Sequence, residues 1–122
     1  MYKIKVLQTF NAAHSLRGYK GKCESLHGHN WKVEAVVSGG SLNAIGMVID
    51  FVKVKEILTE ILDELDHKHL NKIAYFRKNN TSSEHIAKYI FQRLRAYMRE
   101  EECKVEEICV WETDTSCAAY SE

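Results

Sequence analysis

Apolar and polar residues alternate from Tyr2 to Phe10, with Tyr2, Ile4, Val6 and Gln8 on one side of the chain and Lys3, Lys5, Leu7 and Thr9 on the other. A period of two belongs to a half-buried strand. The alternation returns from Asn30 to Ser38, where Trp31, Val33, Ala35 and Val37 oppose Lys32, Glu34 and Val36, and it stops at Gly39 and Gly40. Between the two strands lies a loop bearing glycine and lysine, Arg17 to Lys22. The period then changes. After Asp50, a residue suited to accepting the free N–H groups of a helix start, apolar side chains recur at Phe51, Val54, Ile57, Leu58, Ile61, Leu62 and Leu65. Thr81 and Glu84 have the spacing of a capping box and predict a second helix, with its apolar face at Ile86, Ala87, Ile90, Phe91, Leu94, Tyr97 and Met98. The charged run Arg99 to Glu102 closes it. Val105 to Thr113 and a short segment around Ala118 to Tyr120 read as two more strands. The order ββααββ suits an antiparallel sheet with both helices on one face, an α+β architecture. So small a sheet leaves edges that self-association would cover.

At 122 residues the chain has the length of one domain, residues 1–122, with room for one core and one site. Its 17 basic residues balance its 17 acidic ones, so no broad field draws it to nucleic acid or to an anionic membrane surface, and a small molecule is the expected partner. Lys3 and Lys5 interrupt the first apolar residues, so no export signal is expected there, and no apolar run reaches the length of a membrane span. A cytoplasmic location is expected. In that setting Cys23, Cys103, Cys109 and Cys117 are expected as free thiols rather than a disulfide frame.

The chemistry concentrates in histidines. His27 and His29 flank Gly28 and open the second strand, and at two-residue spacing in extended backbone their imidazoles project to one side. His14 stands just beyond the first strand, where hairpin pairing brings it beside them. Three neutral imidazoles around one ion, with a fourth position left to water or substrate, are the build of a catalytic zinc site. Taken singly, a His-x-His pair is a common loop feature and His14 reads as a satisfied buried histidine; the arrangement and the cysteine four residues upstream favour the metal.

Phe10-Asn11-Ala12-Ala13-His14, Cys-x-x-x-His-Gly-His from Cys23 to His29, Gly46-Met47-Val48-Ile49-Asp50-Phe51, Leu65-Asp66-His67 with Leu70-Asn71, and Trp111-Glu112-Thr113 occur in one order along nearly the whole chain. In order and spacing they resemble the family of 6-pyruvoyl-tetrahydropterin and 6-carboxy-tetrahydropterin synthases. The resemblance implies that His14, His27 and His29 bind zinc, that Cys23 is the catalytic base, and that Asp66 and His67 complete its proton-transfer set. It implies that Glu112 anchors the pterin ring through the ring N–H groups. Asn80-Thr81-Ser82-Ser83-Glu84 departs from the family's Asn-Pro-Thr-Ser-Glu, and Ser82 keeps the hydroxyl for a pterin contact. His67 is preferred to His69 because it directly follows Asp66. The implied fold is the tunnelling fold, in which ββααββ subunits join their sheets into a barrel and assemble as homohexamers with sites between subunits.

The implied substrate is 7,8-dihydroneopterin triphosphate, with zinc as Lewis acid on its side-chain oxygens, Cys23 removing an acidified proton, and Asp66 orienting His67. Three residues between Cys23 and His27 resemble the 6-carboxy-tetrahydropterin synthases of the 7-deazaguanine (queuosine) route, which release acetaldehyde and triphosphate. The 6-pyruvoyl product is the runner-up, and a zinc- or pterin-binding module without turnover is the reading from another class. Arg17, Lys20 and Lys22 stand either as triphosphate contacts or as a solvated loop. For each site residue a plain role competes: an inert thiol for Cys23, a helix-end cap for Asp66 and His67, a solvated strand residue for Glu112.

Overall fold

The computed structural model describes residues 1–21 and 25–122. Its elements are β1 (Tyr2–His14), β2 (His27–Gly39), α1 (Phe51–Asp63), β3 (Lys68–His69), α2 (Ala74–Lys78), α3 (Ser83–Tyr97), β4 (Lys104–Thr113) and β5 (Ser116–Tyr120). The strands form one sheet in the order β3-β1-β2-β4-β5, antiparallel except where β1 meets β3. One face carries Val6 and Phe10 of β1, Trp31, Val33, Ala35 and Val37 of β2, and Ile108 and Val110 of β4. Val54, Leu58 and Ile61 of α1 and Ile86, Ile90 and Leu94 of α3 cover it. Each such aliphatic side chain contributes about 1.5–3 kcal/mol on leaving water, so this face fixes the strands whose far ends build the site.

The long first hairpin is where the structure exceeds the sequence pattern. β1 runs past Phe10 through Asn11, Ala12 and Ala13 to His14, because every residue from Tyr2 to His14 has a partner between His27 and Gly39. Polar and small residues carry little strand signal of their own; the pairing supplies it. Phe10 and Trp31 stack across the hairpin with ring centroids 5.9 Å apart. β3 and α2 have no counterpart in the periodicity, being two and five residues long.

Two further expectations change. Ser82, not Thr81, caps α3: its hydroxyl accepts the His85 N–H at 3.2 Å, while Thr81 is fully buried one residue outside the helix. Phe51 and Tyr97, placed by periodicity on apolar faces, are about half exposed at 50% and 49%, Phe51 as the first residue of α1 and Tyr97 as the last of α3. Asp50 caps α1 as expected, its carboxylate accepting the Val52 N–H at 2.8 Å. The turn before it needs Gly46 at φ +81, with the Asn43 side chain accepting the N–H groups of Ile45 and Met47. The Gly46 to Phe51 motif is therefore scaffold: a turn, the buried Ile49 and a helix cap. Beyond the end of α1, the Glu64 carboxylate accepts from Tyr89 Oη at 2.7 Å and pairs with Arg93, tying α1 to α3; burial first and Glu64 second push the Tyr89 phenol up to about 12. Among the described residues no helix is long and apolar enough to cross a membrane.

Candidate metal centre

His14 pairs with His27 and Ala12 with His29 at the open end of the first hairpin. His14 shares the helix-covered face of β1 with Phe10 and Ala12, and His27 and His29 share that face of β2 with Trp31, so three imidazoles meet on one side of the sheet. Their ring centroids stand 4.6 Å (His14 to His27), 5.4 Å (His14 to His29) and 4.7 Å (His27 to His29) apart. Trp31 walls the cluster from below, edge to face with His14 at 4.9 Å and His29 at 5.2 Å, and its indole N–H donates to Ala12 O.

The rings are aimed by their far nitrogens. His14 Nδ1 donates to Thr81 O at 2.8 Å and His27 Nδ1 donates to Ser25 O at 2.7 Å, since a carbonyl can only accept. In the neutral ring that leaves each Nε2 as a bare lone pair pointing into the cluster. Burial, above all, lowers the pKa of His14, helped by His27 and His29 and opposed by the Thr81 carbonyl and Glu112, so the neutral, ligating form is favoured. The Nε2 atoms of His14 and His29 are buried without a hydrogen-bond partner. Lone pairs converging in a buried spot are what a divalent ion of the zinc type relieves, and the donor set fits such an ion.

Glu112 completes the group. Its Oε1 lies 2.8 Å from His29 Nε2, 3.5 Å from His14 Nε2 and 3.9 Å from His27 Nε2, and the four donor atoms all lie within 4.8 Å of one another. Residue Lys32 pairs with Trp111, so the next position along β4 brings Glu112 beside Trp31 and toward His29. On its other side Glu112 borders a hollow of about 190 Å³ lined by Ser83, Glu84, Ser116, Cys117 and Ala118.

Asp66 and His67 lie elsewhere. Asp66 Oδ1 accepts the Asn11 N–H at 2.8 Å, the His67 N–H donates back to Asn11 O, and Asp66 Oδ2 stands 2.9 Å from His67 Nδ1. The Asn11 N–H, then the contact with His67, hold the Asp66 carboxyl below its usual range. This clamp keeps His67 at φ +57, a left-handed conformation that costs a bulky residue about 1–3 kcal/mol. The imidazole is 77% exposed and, with His69, borders a cavity of about 550 Å³ shared with Asn11, Ala13, Gly28 and Asn30. Ala12 and His29 line this cavity as well, but His67 is not among the residues whose donor atoms converge on one point. Within one chain, His67 does not join the cluster.

The remaining candidates divide. Cys23 and Lys22 lie outside the described residues. Cys103, Cys109 and Cys117 are free; burial, then Cys117, pushes the Cys109 thiol up to about 12, far from a reactive thiolate at neutral pH. Arg17 donates through Nη2 to Phe76 O at 2.7 Å, which ties its head to the fold, and Lys20 is exposed. Ser82 spends its oxygen on the helix cap. What periodicity missed is the bracket behind His14. Thr81 Oγ1 donates to Ser15 O, Asn71 Nδ2 donates to the same carbonyl and Asn71 Oδ1 accepts Ser15 N–H, while the Asn80 side chain accepts from Arg17 N and donates to Arg17 O. The Leu70-Asn71 and Asn80 to Glu84 motifs were its only signal.

The family described as 6-pyruvoyl tetrahydropterin synthase matches residues 3–122. The chain is 35% identical to the 6-carboxy-5,6,7,8-tetrahydropterin synthase of Haemophilus influenzae, over 100% of both chains. It is 36% identical to the dihydroneopterin monophosphate aldolase of Pyrococcus furiosus, over 85% of this chain and 83% of that one. The solved structure of Caenorhabditis elegans 6-pyruvoyl tetrahydropterin synthase superposes with a TM-score of 0.90 at 28% identity, covering 99% of this chain and 95% of that one. The sheet and helices are those of the tunnelling fold.

Proposed function

This chain belongs to the 6-pyruvoyl tetrahydropterin synthase family, and from that membership we propose that it is a zinc-dependent 6-carboxy-5,6,7,8-tetrahydropterin synthase, one domain over residues 1–122. It converts 7,8-dihydroneopterin triphosphate to 6-carboxy-tetrahydropterin, acetaldehyde and triphosphate, a cytoplasmic step of 7-deazaguanine (queuosine) synthesis. The observation that carries the reading is the convergence of three imidazoles, two of which, His14 and His29, have a buried Nε2 without a hydrogen-bond partner.

His14, His27 and His29 hold the ion, aimed by the Thr81 and Ser25 carbonyls. When bound, zinc supplies Lewis acidity, which makes C–H bonds beside a ligated side-chain oxygen easier to ionise. Cys23, four residues before His27, takes the proton at Sγ as thiolate. Asp66 fixes Nδ1 of His67, so the exposed Nε2 is the atom that exchanges the proton. Since His67 is not among the converging donors of its own chain, a neighbouring copy supplies it, and the assembly is a homohexamer with sites between subunits. Glu112 receives the ring N–H groups, and Ser82 lies near the hollow beside Glu112, next to its lining residue Ser83.

The Cys23→Ala variant tests the catalytic reading. Zinc content is retained and turnover of the triphosphate is lost; a variant that turns over as fast as the parent removes Cys23 from the mechanism, and a parent that binds pterin without turnover favours the binding module. The 6-pyruvoyl reading is supported by the C. elegans likeness and gives 6-pyruvoyl-tetrahydropterin without acetaldehyde. The P. furiosus likeness supports an aldolase, which would act on dihydroneopterin monophosphate instead.

A further inference from the structure

We propose that Glu112 is a displaceable fourth ligand of the metal, closing the site at rest and leaving it when a pterin ring binds. The inference rests on the metal reading above and concerns only this chain's own carboxylate. Four donors around a tetrahedral ion at about 2.0–2.1 Å lie roughly 3.3 Å from one another, whereas an atom sitting in the ion's own place would lie at the shorter distance from all three nitrogens. Glu112 Oε1 stands 2.8, 3.5 and 3.9 Å from the three Nε2 atoms, values that bracket the edge of such a tetrahedron. The carboxylate occupies a vertex, not the centre.

Hydrogen bonding does not account for the approach. His29 Nε2 has no hydrogen-bond partner although Glu112 Oε1 is 2.8 Å away, so the oxygen lies off the N–H direction. His14 and His27 have spent their N–H groups on carbonyls and turn bare lone pairs toward the same oxygen. The lone pairs of His14 and His27 and the Glu112 oxygen face one another in a partly buried spot and repel unless a cation lies among them.

The same carboxylate borders the hollow lined by Ser83, Ser116 and Cys117. One carboxylate between two sites cannot serve both fully. A ring whose N–H groups draw Glu112 into that hollow vacates the fourth position for the substrate's own oxygens, so the site opens only when a pterin is present. By linkage, ring and Glu112–metal contact must weaken one another by the same factor.

Chelator competition for zinc tests this with Glu112→Gln, which keeps the side chain's shape, and Glu112→Ala, each checked for unchanged circular dichroism. Loss of a direct ligand weakens zinc by at least the ~10–100-fold that loss of a supporting partner costs. Adding a reduced pterin with no side chain, which offers the metal nothing, lowers zinc affinity of the parent and leaves that of Glu112→Gln unchanged. Equal zinc affinity in parent and both variants overturns the proposal while His14→Ala still abolishes binding, which keeps the metal reading intact. A pterin that weakens zinc equally in parent and variant overturns it too. A parent that binds no zinc overturns both readings together.

Discussion

Trp31→Phe is the substitution that joins core to site. Trp31 is fully buried, stacks on Phe10, donates its indole N–H to Ala12 O at 3.2 Å and meets the edges of His14 and His29. Phenylalanine keeps a ring but loses about three buried ring atoms, worth ~2 kcal/mol at ~0.8 kcal/mol per buried carbon. The lost hydrogen bond adds about 1 kcal/mol, and the sum of ~3 kcal/mol is a large part of a typical domain's 5–15 kcal/mol. Urea denaturation of metal-stripped protein measures it as a lowered midpoint with unchanged slope. Because the ring also walls two of the proposed ligands, the expected zinc affinity falls by about 10–100-fold, the range for a lost supporting partner. A variant within 0.5 kcal/mol of the parent and with parental zinc affinity, roughly the noise of a neutral surface change, would refute the claim that Trp31 sets the cluster's floor.

The metal-free protein loses stability on acidification through His14. Its folded pKa is depressed, so the unfolded chain binds the proton more readily; stability is full above about 6.5 and falls with decreasing pH, by at most ~1.4 kcal/mol per unit, until the folded pKa is passed. His14→Asn flattens that window in urea melts at pH 5 to 7.5; Asp66, also depressed, acts only in a separate window below 3.8. Thr81→Val removes the Oγ1 bond to Ser15 O while keeping shape, and costs about 1–2 kcal/mol with weaker zinc binding, readable by the same melts and chelator competition. Cys23→Ala and His67→Ala, each inactive alone, regain part of the activity when refolded together, because mixed assemblies contain intact sites; no recovery would place both residues in one chain's site.

The part of the molecule legible in the sequence is the part set by near neighbours. Alternation in β2, the Asp50 cap and the apolar face of α3 are local, and so is the spacing that puts His27 and His29 on one side. Distance along the chain hides the rest. Glu112 reaches the histidines only through the pairing of β4 with β2, some eighty residues apart, and the Asp66–His67 pair is pinned to Asn11 across fifty-five. Thr81 misled because capping-box spacing is also satisfied by a residue whose side chain turns inward, here to Ser15 O, while Ser82 takes the cap. Phe51 misled because the first residue of a helix can share the apolar stripe and still stay half exposed.

Zinc-loaded protein incubated with 7,8-dihydroneopterin triphosphate, with products identified by mass and acetaldehyde assayed separately, is the most direct test of the central claim. The account predicts acetaldehyde and 6-carboxy-tetrahydropterin in equal amounts, with triphosphate released. Substrate left intact by zinc-loaded protein, or 6-pyruvoyl-tetrahydropterin without acetaldehyde, would contradict it.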